Sequence, residues 1–322
     1  MSNILTLQQL LRDKNTFLLT SHQDPDGDSV GSLMGFARLL EQLGKKTILI
    51  NQGKVPAKYR FLDPDGEIRH ALPSGGVDAE VAIIMECPRF ERIGFVAEII
   101  TPEMTLVNID HHKDNNQFGQ INIVDTTACA LGQILCDLFI DCGFEISKEM
   151  ATALYAAIIS DTGCFRFANT DAGCLRTAAL LIDKGADPKA IYDKIFLSLS
   201  VETLKLLGHI LRNMEIFAGG RICVLSLTKA DLDQTGALIE NSEGLIDYTM
   251  MMPAVDIGVM LKEHDSETIR VSLRSQDGID IGQFAKTRGG GGHVNASGFT
   301  IHGRLDNAKE SVVAALTEFL NG

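Results

Sequence analysis

The densest group of reactive side chains is Ser21-His22-Gln23-Asp24-Pro25-Asp26-Gly27-Asp28-Ser29, directly after the apolar run TFLLTSH (16–22). Three aspartates within five residues repel one another unless donors or cations neutralise them. A capping turn, with Asp28 or Ser29 at the start of a helix, accounts for part of the cluster. A calcium loop of the EF-hand type does not fit, because its glycine comes too early and Gly35 stands where a glutamate is required. A second cluster, Asp110-His111-His112, ends the run TLVNID (105–110). Neighbouring side chains on a strand point to opposite faces, so the two imidazoles are expected to have different tasks. Glu86 closes EVAIIME, and Asp161 follows TALYAAIIS in the segment SDTGCFRF.

Each of these carboxylates alone could be a turn cap. Together, His22, Asp26, Asp28, Glu86, His111 and Asp161 offer two imidazoles, four carboxylates and no thiolate. Such a donor set favours Mn²⁺, with Mg²⁺ or Co²⁺ as alternatives, over structural zinc. Six donors suit two divalent ions sharing a carboxylate, an arrangement used for in-line displacement at phosphorus. A third constellation lies near the C-terminus: Arg288-Gly289-Gly290-Gly291-Gly292-His293. It is neither a Walker loop nor a dinucleotide-binding fingerprint. A flexible hairpin is the plain reading; the alternative is an anion cradle in which Gly290, Gly291 and Gly292 present N–H groups between Arg288 and His293. Arg274-Ser275, ending TIRVSLRS, is expected to add a second phosphate contact.

The elements that must position these groups fall into two textures. In the first half, TFLLTSH, KTILINQ (46–52), EVAIIME (80–86) and TLVNID are apolar throughout, which predicts a parallel sheet covered on both faces by helices. Helices are expected from about Ser29 to Leu43, then over 127–142, 148–160, 171–185 and 187–197. SVETLKLLGHILRNMEIF (200–217) predicts a connecting helix. RICVLSLT, VDIGVMLKEH and TIRVSLRS predict a mixed sheet closed by a C-terminal helix. The expected organisation is a doubly wound α/β domain over 1–195, a helical linker over 196–219 and a smaller α/β domain over 220–322.

With 322 residues, 45% of them hydrophobic, the chain is long enough for two globular domains. A net charge of −13 argues against long nucleic acid held on a broad basic surface, but not against short phosphorylated ligands. The seven cysteines form no C-x-x-C pair and are expected to be reduced, buried thiols. No apolar run reaches membrane-spanning length and the N-terminus lacks signal-peptide features, so no membrane association and a cytoplasmic location are expected.

SHQDPDGDSVGS, NIDHH, SDTGCFRF and GGGGHVNASGF together resemble the DHH phosphoesterases that carry a DHHA1 domain, specifically the nanoRNase/pAp phosphatase group. The resemblance covers nearly the whole chain, with the four motifs in the family's order. It implies a DHH domain holding two Mn²⁺ ions, a DHHA1 domain that binds substrate across a cleft, and possible homodimers. It implies that His22 and Asp26 hold one ion, Asp28, His111 and Asp161 the other, and Glu86 bridges them. It further implies that Asp110 orients the segment and His112 faces the reacting phosphate. Arg274, the glycine run and His293 would bind the nucleotide. The implied substrates are short oligoribonucleotides or mononucleotide phosphates such as 3′-phosphoadenosine 5′-phosphate (pAp). Competing readings are a phosphodiesterase on linear or cyclic dinucleotides, a polyphosphate or pyrophosphate hydrolase, and a catalytically silent nucleotide-binding module. Two features depart from the family: Glu86 where relatives carry Asp, and ACALGQ (128–133) where they usually carry Ser or Thr and an acidic residue.

Overall fold

The computed structural model describes residues 3–265, 267–276, 278–292 and 294–321. The chain divides into two compact units, Met1–Ser198 and Leu199–Gly322.

The first unit is built on five parallel strands. Helix α1 (Asn3–Asp13) leads into β1 (Thr16–Thr20), α2 (Gly27–Gln42), β2 (Lys46–Leu49), β3 (Val81–Met85), β4 (Thr105–Asp110) and β5 (Ile121–Val124). Four helices follow: α3 (Leu131–Asp141), α4 (Lys148–Asp161), α5 (Ala172–Asp183) and α6 (Pro188–Phe196). The strand order is β2-β1-β3-β4-β5, every pair parallel. Alternation along the strands sends Phe17, Leu19, Ile83, Met85, Val107 and Ile109 into one core with the α-helices. Leu18, Ala82 and Ile84 face the other way. That second face is covered by Ile93, Val96 and Ile99 from the 3-10 segment Phe90–Ile99 and by adjoining loops, rather than by the α-helices expected there. Gly94, at φ +63° and ψ −137°, interrupts this segment and keeps it from continuing as an α-helix.

The second unit starts with α7 (Val201–Arg212), shorter than the helix the sequence predicts. The chain turns at Asn213, and Glu215–Phe217 becomes an edge strand, β6. Then come β7 (Ile222–Leu227), α8 (Lys229–Thr235), β8 (Ile257–Glu263), β9 (Thr268–Ser275), α9 (Ile281–Lys286), β10 (Gly291–Gly292), β11 (Ala296–His302) and α10 (Leu305–Asn321). The sheet order is β10-β11-β9-β8-β7-β6, with β7–β8 parallel and the other pairs antiparallel. Val224, Val259, Leu261, Val271 and Leu273 pack one face against α9 and α10. Leu225, Leu227 and Met260 pack the other against Leu206, Leu207 and Ile210 of α7, so α7 is part of this unit's core. Among the described residues, no helix is long and apolar enough to cross a membrane.

Candidate metal centre

In an open parallel sheet, ligands bind beyond the carboxyl ends of the strands, at the point where the winding reverses. Here that point lies between β1 and β3, whose neighbours run outward in opposite directions. The segment 21–28 leaves β1 there, Glu86 leaves β3, and Asp110-His111-His112 leaves the adjacent β4.

Helix α2 carries Asp28 to this edge through close packing on α4. A Cβ on Gly27 would meet Ser160 Oγ at 2.1 Å, and one on Gly31 would meet the Ala153 carbonyl at 2.5 Å. Only glycine allows this approach, which sets Asp28 beside Asp161 at the end of α4. Asp26 caps α2, its Oδ1 accepting from the Ser29 N–H at 3.0 Å. Asp28, an expected cap of α2, caps a different helix: its two oxygens accept from Leu131 N at 2.6 Å and Gly132 N at 3.0 Å. Helix α3 has Ala130 at its N-cap position and no capping side chain of its own, so Asp28 takes that role. This gives the unusual ACALGQ segment a structural explanation.

His111 is the hub. Its Nε2 lies 3.1 Å from Glu86 Oε1, 3.7 Å from Asp161 Oδ2 and 3.8 Å from Asp28 Oδ2. Its Nδ1 lies 3.3 Å from the Ala128 carbonyl. His112 turns elsewhere, with Nδ1 at 2.8 Å from Asp110 Oδ1 and 3.6 Å from Glu86 Oε1. Two sets of donor atoms are close enough to share a cation: Asp28, His111 and Asp161, and Glu86, His111 and His112. His22 and Asp26 form a pair to one side, 4.0 Å apart, with His22 Nε2 at 3.0 Å from Ser29 Oγ. Among the described residues, no third donor joins them within the same reach.

The electrostatics fit a cation-binding site. Burial, and then the charge of Asp28, push the Glu86 carboxyl up to about 8 and the Asp161 carboxyl to about 7. Burial likewise raises Asp28. Burial disfavours the His111 cation, but Glu86, Asp28 and Asp161 outweigh it and raise His111, so the imidazolium is the counter-charge within this cluster. Glu86 Oε1 and His111 Nε2 lie 3.1 Å apart, so the imidazolium opposes the rise that burial and Asp28 impose on Glu86. Among the described residues, five buried side-chain atoms have no hydrogen-bond partner, and two of them are in this cluster: Glu86 Oε2 and His22 Nδ1. Leaving such atoms unpaired is costly unless a ligand completes them. Glu86 also sits at φ +54°, a left-handed conformation that costs a non-glycine residue about 1 kcal/mol or more. Burial pushes the thiol of adjacent Cys87 up to about 12, and it donates to the Arg89 carbonyl at 3.1 Å. Oxygen-rich donors with imidazole match Mn²⁺ or Mg²⁺.

Three asparagines not singled out in the sequence hold this edge together. Asn115 Nδ2 donates to Asp110 Oδ2 at 2.6 Å and Asn108 Oδ1 at 2.8 Å. Asn108 donates to the carbonyls of Ile84 and Cys87, gripping the turn that carries Glu86. Asn51 accepts from Ser21 N at 2.9 Å and donates to the His22 carbonyl at 3.0 Å, fixing the other turn. Buried polar residues at strand ends (INQ, VNID) are the signal that marks Asn51 and Asn108.

The remaining candidates lie in the second unit. Arg274 is the penultimate residue of β9, with Nε at 3.0 Å from Asp247 Oδ1. The Ser275 hydroxyl donates to the Ile279 carbonyl at 2.7 Å, closing a turn. Arg288 stacks its guanidinium 3.8 Å from the Phe284 ring centroid and donates to Thr287 Oγ1 at 2.9 Å. Within the glycine run, the Gly290 N–H donates to the Ala285 carbonyl, and Gly291 and Gly292 pair with Gly298 and Ser297 of β11. Much of the run is thus a tight strand connection, and a Cβ on Gly290 would meet the Gly298 carbonyl at 2.2 Å. His293 lies outside the described residues.

An open parallel sheet with this donor cluster at its reversal point, followed by a mixed-sheet unit, defines a two-unit α/β protein with a candidate divalent-metal centre. Residues 16–158 match the DHH family, N-terminal domain, and residues 219–322 match the DHHA1 domain. The chain belongs to the DHH family with a C-terminal DHHA1 domain. It is 31% identical over 303 residues to the bifunctional oligoribonuclease and PAP phosphatase NrnA of Thermus thermophilus, covering 94% of this chain and 89% of that protein. It is 26% identical over 291 residues to the NrnA of Bacillus subtilis, covering 89% and 90% respectively. An exopolyphosphatase-related protein from Bacteroides fragilis has a crystal structure similar to it with a TM-score of 0.92 at 25% identity, covering 98% of this chain and 96% of the other.

Proposed function

We propose that the chain is a divalent-metal-dependent phosphoesterase that hydrolyses short oligoribonucleotides and removes a phosphate from pAp. The observation that carries this reading is the convergence of Glu86, Asp28 and Asp161 on the single imidazole of His111. The activities named for the Thermus and Bacillus relatives supply the substrate class.

In this reading His22 and Asp26 would hold one cation, Asp28, His111 and Asp161 would hold a second, and Glu86, whose Oε2 has no hydrogen-bond partner, would serve both. Bound divalent ions supply positive charge against the phosphoryl oxygens and activate the attacking water. The chain's own groups prepare the rest. Asp110 orients His112 through Nδ1, and His112 would face the reacting phosphate. Asn115 holds Asp110 in turn. The Ala128 carbonyl sets the His111 ring, so Nε2 points into the carboxylates. Arg274, Ser275, Arg288, Gly290, Gly291, Gly292 and His293 would contact the nucleotide, with Arg274 exchanging Asp247 for a phosphate. The net charge of −13 supports short ligands over long polymers.

The test is a substrate panel with Mn²⁺: pAp, pGpG, a trinucleotide, a cyclic dinucleotide and polyphosphate. Turnover of pAp and the short linear RNAs, well above the other two, is expected. Preference for polyphosphate or the cyclic dinucleotide would overturn the assignment.

A further inference from the structure

One face of the mixed sheet is only half covered. Met260 of β8, on that face, is buried beneath α7 and the segment around Leu245 and Ile246. Side chains alternate along a strand, so Lys262, Arg270, Ser272, Arg274 and Thr300 lie on the same face as Met260. Arg270 and Thr300 are exposed; Lys262, Ser272 and Arg274 are half-buried.

The register within this row is unusual. Lys262 stands directly opposite Arg270 across β8–β9. Like charges at directly opposed positions destabilise a sheet. Among the described residues no carboxylate forms an ion pair with either. Lys262 Nζ donates to the Ser242 carbonyl at 3.4 Å. Burial, opposed by Glu243 and reinforced by Arg270 and Arg274, holds the Lys262 ammonium below its ordinary range. Lys262 and Arg270 thus place two cations without an ion-paired carboxylate side by side in a chain of net charge −13, next to Arg274, which is paired with Asp247.

We propose that this face is a phosphate track, in which Lys262 and Arg270 hold an internucleotide phosphate of a short oligoribonucleotide beyond the one met by Arg274. The proposal rests on the phosphoesterase reading above and extends it to the length of the substrate. Arg270 and Arg274 are four residues apart on one strand, a span of about 13 Å. That span exceeds the distance between neighbouring phosphates of one strand, so the row suits phosphates two nucleotides apart better than a mononucleotide. The hydroxyls of Ser272 and Thr300 flank it and can donate to phosphate or ribose oxygens. None of the five named side chains is aromatic, so these contacts position a backbone without reading its bases.

The experiment measures binding of a fluorescein-labelled pentaribonucleotide to the full chain in EDTA by anisotropy, across a series of KCl concentrations. Wild-type protein is expected to bind. Arg270→Ala is expected to weaken binding about tenfold and to reduce the slope of log affinity against log salt by about 0.7. Arg12→Ala, which removes an equal charge from an exposed position on α1, should leave that slope unchanged. In Mn²⁺, the ratio of KM for the pentaribonucleotide to KM for pAp should rise about tenfold in Arg270→Ala. Failure of the wild type to bind, an unaltered slope in Arg270→Ala, or an equal loss in Arg12→Ala would overturn the track. Binding that follows this pattern without turnover of either substrate would instead overturn the phosphoesterase reading.

Discussion

Asp28 and Leu131 are separated by 103 residues, yet the Asp28 carboxylate accepts the Leu131 N–H at 2.6 Å and thereby caps helix α3. The same carboxylate stands 3.8 Å from the hub imidazole of His111. A helix start and a candidate metal ligand are thus one group, and they can be separated by mutation.

Asp28→Ala should lower the stability of the chelated protein by about 1–2 kcal/mol, the usual loss on removing a cap. For a unit of this size, that is a fall in Tm of about 2–8 °C. Asp161→Ala, which removes a ligand candidate that caps no helix, should lower Tm less in EDTA. Thermal melts of both variants with and without Mn²⁺ check this; equal falls in EDTA would deny the capping role.

Gly31→Ala should destabilise the first unit by about 1–3 kcal/mol, because the new methyl meets the Ala153 carbonyl at 2.5 Å and Ala157 Cβ at 2.9 Å. The strain falls on the α2–α4 contact that brings Asp28 to Asp161. Urea unfolding reads the stability loss, and metal affinity should weaken with it.

Asn115→Ala removes the 2.6 Å hydrogen bond to Asp110 and leaves Asp110 to hold His112 alone. A loss of about 10–100-fold in kcat is expected, the range for partners that orient functional groups. Steady-state kinetics on pAp checks it, with circular dichroism confirming the fold. An unchanged kcat would remove Asn115 and Asp110 from the account.

Metal should stabilise the protein through the carboxylate cluster. Mn²⁺ at a hundred times its dissociation constant should add about 2.7 kcal/mol per site. Glu86→Gln, which keeps the shape and removes the charge, should sharply reduce this gain. A full Mn²⁺-dependent shift in that variant would show that Glu86 does not face a cation.

Much of this was open to reading from sequence because parallel strands are buried on both faces. TFLLT, VAIIM and TLVNID announce themselves as apolar runs, and the polar clusters at their ends mark the functional edge. What stayed hidden has physical reasons. β5 is a four-residue edge strand, and β11 is disguised by Ala296, Ser297 and Gly298, which carry little strand propensity. The cap from Asp28 to α3 has no local signature, since its donors lie on another helix. The asparagine clamps are equally silent: only the folded chain brings Asn115 to Asp110. The pattern of continuous strands predicted helices on both faces, but Gly94 and its neighbours cover one face with 3-10 turns instead.

The central claim is that the His111-centred cluster holds the cations on which hydrolysis depends. The direct measurement is metal content by mass spectrometry alongside pAp turnover, in protein stripped with chelator and then given back Mn²⁺. Turnover should vanish on stripping and return as two equivalents bind, while Asp161→Ala should retain its fold, bind fewer ions and recover no turnover. Full turnover in stripped protein, or undiminished metal content and activity in Asp161→Ala, would contradict it.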